Sequence, residues 1–303
     1  MKIELPQELL TLLDIIRWSA SQFEAAELHF GHGTDNALDE AAALALGILR
    51  LPADLPAVWL QSRVSQAERL ALEKALESRI FERKPVPYIL GEAWFCELPF
   101  DVDERVLIPR SPVAELIEAG FSPWLEAESI TQVVDVGTGS GCIAIACALA
   151  LPNAQVIATD ISADALAVAE RNVAHHGVAD QLRLLHSDLL SEVPESATLD
   201  LIISNPPYVD AAAMAALPPE YRHEPASALA AGEDGLDIVR RLLPQAAHRL
   251  NDHGILIVEI GHGAAAFEAA FPDLSVTWID FERGGTGVFI VDAATLRNAF
   301  LTE

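Results

Sequence analysis

The chain has 303 residues, 51% hydrophobic and 21% charged, with 45 acids set against 19 lysines and arginines. That length suggests two domains or one domain with an appendage, and the composition suits a packed core rather than a disordered chain. No apolar run reaches the roughly 18 residues of a membrane span, and a net charge of −26 leaves no basic stripe for phosphates, so neither a membrane nor direct nucleic-acid binding is expected.

An acidic surface suits a basic protein partner instead. The N-terminal segment MKIELPQELL carries acids inside its apolar stretch and does not read as a secretory signal. Cys96, Cys142 and Cys147 are too few and too odd in number for a disulfide framework, which fits a cytoplasmic protein; Cys142 and Cys147 read as small core residues of a helix.

In chain order, residues 1–85 read as a helical domain that recognises the substrate. Leu9, Leu12, Leu13 and Ile16 share one helical face. In SQAERLALEKALESRIFERKP, Ser65 and Glu68 form a capping box, Leu72, Leu76 and Ile80 form a stripe, and basic residues precede the stop at Pro85. HFGHGTDNALDE is a polar loop entering another helix. Residues 86–110, with WFCELPFDVDERVLIPR, read as a bridging β-hairpin.

Residues 111–303 alternate between strand and helix. The strands are QVVDVG, QVIATDI, LRLLHSD, LDLIISN and ILIVEIG, with CIAIACALA, SADALAVAERNVAHHG and LDIVRRLLPQAAHRL as helices between them. This pattern predicts an α/β fold, a parallel sheet covered on both faces. VTWIDFERGGTGVFIVD has no helix between its two strands and predicts an antiparallel hairpin at the sheet edge.

The first strand runs into VVDVGTGSGC, where Gly137, Gly139 and Gly141 alternate at the turn into a helix. Glycine there lets backbone approach a ligand, and the helix start offers N–H groups. Cys142 occupies the position where a nicotinamide-dinucleotide fingerprint has its third glycine, and Asp135 would repel a pyrophosphate. Asp135 can instead pair with a cation or orient the turn, which favours a positively charged nucleoside. Asp160 ends the second strand, where an acid takes ribose hydroxyls. Asp188 ends the third, either accepting from an adenine amine or merely forming a turn. The fourth strand ends in SNPPYVD, and all of these should converge on one cleft outside the carboxyl ends of the strands. The nine histidines are scattered, His175 and His176 fitting a helix C-terminus, so no metal site is expected.

VVDVGTGSG, ATD and NPPY resemble class I S-adenosylmethionine-dependent methyltransferases that modify a planar amino nitrogen. ELPFDVDERVLIPR and EP…ALAAGEDGL narrow the resemblance to the protein-glutamine N(5)-methyltransferases. That family has one bacterial branch acting on peptide-chain release factors and one acting on the third protein of the large ribosomal subunit. Ser111-Pro112-Val113-Ala114-Glu115 departs from the Pro-Glu-Thr-Glu of the release-factor branch, while FGHGTDNALDE, AWFCELPF, IPRSP and EYRHEP are similar to the ribosomal-protein branch. The alternatives are a release factor, or an RNA or DNA amine.

The resemblance implies a seven-stranded Rossmann-like domain and S-adenosylmethionine as cofactor. It places Asp135, Gly137, Thr138, Gly139, Gly141, Asp160, Ile161, Asp188 and Asn205 at the cofactor, and Asn205, Pro206, Pro207 and Tyr208 at the chemistry, with the Tyr208 ring packing on the substrate amide. Phe100, Pro109 and Arg110 would help to close the pocket, and Glu224 and Pro225 belong to a lip after NPPY.

Overall fold

The computed structural model describes residues 2–301. Two compact units are present: one runs to Ala93 and takes in Val102–Glu104 and Pro218–His223, and the other holds the rest. The units therefore do not follow a simple division at 85 and 110: a short piece of the loop after NPPY belongs to the helical unit.

The helical unit contains α1 (Leu12–Ala25), α2 (Ala37–Ile48), α3 (Gln66–Phe81) and α4 (Val86–Leu90). Thr11 and Asp14 make a capping box on α1, and Ser65 and Glu68 make the expected one on α3. The apolar face of α1 is Leu12, Ile15, Ile16 and Phe23; Leu13 is exposed and Leu9 lies before the helix, because the cap at Thr11 starts the turn later than periodicity suggested. Arg79 does not stand at the helix end facing solvent. It is fully buried, 2.6 Å from Glu40 and 3.4 Å from Glu220, and its Nη2 donates to the His29 carbonyl at 2.8 Å. Burying that guanidinium is tolerable only because carboxylates are buried with it.

β1 (Glu92–Phe95) and β2 (Leu98–Asp101) form a two-stranded sheet. Cys96 and Glu97 between them both take positive φ, as a two-residue hairpin turn of the primed type requires.

The second unit continues with α5 (Val113–Glu118), β3 (Gln132–Val136), α6 (Cys142–Ala150), β4 (Gln155–Asp160), α7 (Ala163–His176), β5 (Leu182–His186) and β6 (Leu199–Ser204). It is completed by α8 (Ala211–Ala216), α9 (Asp237–Arg249), β7 (Leu250–Glu259), α10 (Ala264–Ala270), β8 (Thr277–Ile279), β9 (Val288–Asp292) and α11 (Ala293–Phe300). The seven strands order as β5-β4-β3-β6-β7-β9-β8. β3 to β7 pair in parallel, and β9 pairs antiparallel with both β7 and β8, as the hairpin pattern predicts. β7 starts before the expected Ile255, since Gly254 lets it press against the Leu199 carbonyl: a Cβ there would lie 2.7 Å from that oxygen.

Successive residues of a strand point to opposite faces, and here both faces are buried. Val133, Leu201, Ile203, Ile255 and Ile257 pack with α5 and α6, whose Cys142 and Cys147 are core residues as expected. Val134, Val136, Ile202, Leu256 and Val258 pack on the other side with α9, α10 and α11. Among the described residues no helix is long and apolar enough to cross a membrane.

Candidate active site

The carboxyl ends of β3, β4 and β6 open into one cleft of about 1140 Å³, partly open to solvent. Gly137, Thr138, Gly139, Asp160, Ile161, Asp188, Asn205, Pro206 and Pro207 all line it, as do Pro109, Arg110 and Pro225. The register explains the convergence. β3 is the shared neighbour of β4 and β6, with Val136 paired to Thr159 on one side and Ser204 on the other. The glycine loop, the acid after Thr159 and the amide after Ser204 must therefore emerge side by side.

The glycine loop is bare where it meets the cleft. Gly137 and Gly139 hold φ of +76° and +57°, and a Cβ on either would meet nothing within 4 Å. This is a backbone cradle open to a ligand. Gly141 faces the other way, where a Cβ would lie 3.3 Å from Ala169, so it serves packing. Asp160 ties the loop to its own strand end: its Oδ2 accepts the Gly139 N–H at 2.9 Å and its Oδ1 accepts the Ser162 N–H at 2.8 Å. Burial raises the Asp160 pKa, opposed by those N–H groups.

Asp135 orients the turn rather than lining the cleft. Its Oδ2 accepts from Thr138 Oγ1 at 2.6 Å and from the Ala144 N–H in the first turn of α6 at 3.2 Å, while Oδ1 is buried without a partner. Burial pushes its pKa up to about 7. Asp188 is at the cleft, but its Oδ2 is 2.5 Å from Nη2 of Arg241, a cleft residue of α9 that sequence reading missed. Ile161 is 65% exposed there, an apolar side chain that can lie against a flat ring. Leu189, also missed, lines the cleft at φ +55° with its carbonyl accepting from Ser187 Oγ.

On the β6 side, Ser204 Oγ donates to the Val136 carbonyl at 2.8 Å, pinning the root of NPPY to β3. Asn205 Oδ1 is buried and has no hydrogen-bond partner. An unpaired buried acceptor is costly, and this one belongs to a residue of the cleft wall. Tyr208 lies off the cleft. Its ring packs on Gly261, where a Cβ would be 2.7 Å from Cε2, and its hydroxyl donates to Glu259 Oε1 at 3.1 Å. Stacking of Tyr208 on a substrate amide is thus not what this geometry presents. Phe100 is likewise in the core, against Phe95 and His176, leaving Pro109 and Arg110 as the cleft residues of that segment. Among the described residues no cluster of acids, histidines and cysteines is placed to hold a metal ion.

Residues 121–218, spanning the glycine loop and NPPY, match the methyltransferase small domain family. A ribosomal protein uL3 glutamine methyltransferase of Bordetella pertussis is 50% identical over 286 residues, 94% of this chain and 96% of that protein. Proteins of the same name from Neisseria meningitidis serogroup B and Neisseria gonorrhoeae are 47% and 46% identical, each over 94% of this chain and 94% and 95% of their own lengths. The chain belongs to the ribosomal protein uL3 glutamine methyltransferases. Among solved structures, the hMettl16 catalytic domain in complex with a 3′UTR hairpin is similar in fold, with a TM-score of 0.50 and 18% identity over 75% of this chain and 81% of that one.

Members of the uL3 glutamine methyltransferases are enzymes, and the cofactor is S-adenosylmethionine. The cleft offers features that suit such a molecule: an open glycine backbone, a carboxylate at a strand end, and an exposed apolar side chain, Ile161, near the half-exposed Asp188.

Proposed function

We propose that this chain transfers the methyl group of S-adenosylmethionine to the side-chain amide nitrogen of a glutamine in uL3. The observation that carries this reading is Asn205 Oδ1, a buried acceptor without a partner on the wall of the cofactor cleft. A primary amide offers two N–H donors and one acceptor, and its nitrogen is a weak nucleophile because its lone pair is delocalised.

Bound, S-adenosylmethionine supplies the electrophilic sulfonium methyl. The chain's residues hold and desolvate the amide. Asn205 Oδ1 accepts one amide hydrogen, and the Pro206 carbonyl, preset by a ring-fixed φ, accepts the other. Charge that develops on the nitrogen is stabilised by the same two acceptors. Asp160 takes the ribose hydroxyls, with Gly137, Thr138 and Gly139 along the methionine end. An acidic chain, at −26, draws a basic ribosomal protein toward it. Residues 1–85 are the part that reads the substrate.

The test is label transfer from S-adenosylmethionine in parallel reactions holding uL3, a release factor, and unmethylated RNA or DNA. Label in uL3, mapping to a glutamine, is the expected result. Label only in the release factor overturns the substrate, and label only in nucleic acid overturns the class.

A further inference from the structure

Glu259 ends β7, the strand beside β6, one residue beyond Val258, which pairs with Ser204. The sheet therefore delivers a carboxylate next to the root of NPPY. It is buried, and both of its oxygens are engaged: Oε1 accepts the Tyr208 phenol at 3.1 Å and Oε2 accepts Ser111 Oγ at 2.6 Å. Ser111 is itself held, accepting from the Val113 N–H at the start of α5. Nothing in methyl transfer as derived above uses this acid, and a buried carboxylate carries a desolvation penalty that an apolar residue would not.

We infer that Glu259 is a positioning residue for the transfer reaction, acting through Tyr208 to hold the Asn205-Pro206-Pro207 acceptors in place. The motif is clamped at both ends. At its start, Ser204 is bonded to Val136. At its end, Tyr208 is seated on Gly261, and the following residue, Val209, exchanges backbone hydrogen bonds with Leu229 and Ala231 at 2.8 and 3.0 Å. Two adjacent prolines between these ends leave little torsional freedom, so a shift of Tyr208 reaches Pro206 and Asn205 rather than dissipating. A carboxylate suits the post because it accepts from two hydroxyls at once. A glutamine offers one accepting oxygen and one donating nitrogen, and a leucine offers neither.

The role rests on the glutamine-methyltransferase reading, and the experiment separates the two. Wild type, Glu259→Gln, Glu259→Leu, Tyr208→Phe and the Glu259→Gln/Tyr208→Phe double variant are compared in steady-state transfer to uL3. The expected result is a kcat lowered ~10-fold in Glu259→Gln and ~100-fold in Glu259→Leu, with KM for S-adenosylmethionine changed less than about 3-fold. Tyr208→Phe should add little on top of Glu259→Gln, because both break one linkage. A Glu259→Gln kcat equal to wild type, equal losses in the Gln and Leu variants, or effects of Glu259→Gln and Tyr208→Phe that multiply would each overturn the role. The second readout needs no turnover. The chain has three tyrosines, so fluorotyrosine labelling gives three resonances, of which Tyr208→Phe assigns one. That resonance alone should move in Glu259→Gln, and an unmoved one overturns the linkage even where no substrate is labelled. Wild type that fails to label uL3 overturns the functional reading and leaves this spectral result to decide on Glu259.

Discussion

Arg110 grips Glu224 with two parallel hydrogen bonds, Nη1 to Oε1 at 2.6 Å and Nη2 to Oε2 at 2.8 Å, while Oε1 also accepts the Ile108 N–H at 3.0 Å. The pair joins the segment before α5 to the loop after NPPY on the rim of the cleft, where Arg110 and Pro225 both stand. Lysine has no planar fork to match that carboxylate. Arg110→Lys keeps the charge but loses the fork, and is expected to lower kcat/KM for uL3 by ~10-fold, since a rim displaced by about an ångström misplaces the substrate. Steady-state kinetics with varied uL3 checks this; an unchanged value would show that the rim does not contact the substrate.

Asn205→Ala removes the orphan acceptor and leaves the glycine loop and Asp160 untouched. Transfer should fall by at least ~100-fold while cofactor affinity changes only a few-fold, the signature of an interaction spent on the transition state. Calorimetric binding of S-adenosylmethionine beside the label assay measures both. Equal loss in the two would assign Asn205 to the cofactor as well.

Gly139→Ala places a methyl group in the cradle and forces a left-handed backbone that costs a side-chain residue roughly 1–2 kcal/mol. Its φ of +57° and the open space around it make cofactor binding, rather than packing, the property that suffers. The expected outcome is a Kd for S-adenosylmethionine raised ~10-fold or more with a melting temperature within a few degrees of wild type.

Arg79→Met leaves Glu40 and Glu220 buried without their shared cation in the helical unit. Breaking such a cluster from one side costs about 3–5 kcal/mol. Urea unfolding should show the loss as a lower midpoint. A midpoint like that of wild type would mean that the carboxylates take up protons or reach solvent instead.

Asp135 titrates near 7 in the fold against 3.8 ordinarily, because burial disfavours its charge. The folded chain thus holds this proton more tightly than the unfolded chain. The stability it contributes is fully present below the unfolded value and is lost as pH rises through about 7. Asp135→Asn keeps an acceptor for Thr138 and Ala144 but cannot ionise. Unfolding free energies between about pH 5 and pH 8 should vary less in the variant than in wild type, which falls by up to about 1.4 kcal/mol per pH unit between the unfolded value and the folded pKa and levels off above about 7.

Much of the fold was legible because the signals are local. Strand runs such as LDLIIS are apolar throughout because helices cover both faces, and the lack of a helix in VTWIDFERGGTGVFIVD announces the antiparallel edge. The capping box at Ser65 is a three-residue pattern and was found where expected. The buried role of Arg79 is not legible locally, because its partners Glu40 and Glu220 lie 39 and 141 residues away. Because NPPY reads as one unit, the sequence puts Tyr208 on the substrate amide, whereas its ring turns toward Gly261 and Glu259.

The sequence by itself determined the sheet, the glycine loop, the acid at each strand end and the family, since each is written in contiguous residues whose spacing sets backbone geometry. Only the tertiary structure decided which of those residues face the cleft. Asp135 and Gly141 belong to the glycine motif yet support it from behind, while Arg241 of α9 reaches Asp188 from 53 residues away. A side chain's partners across strands depend on register and packing, which no local pattern encodes; that is why Glu259 reads as the end of one more strand until the sheet sets it beside Tyr208.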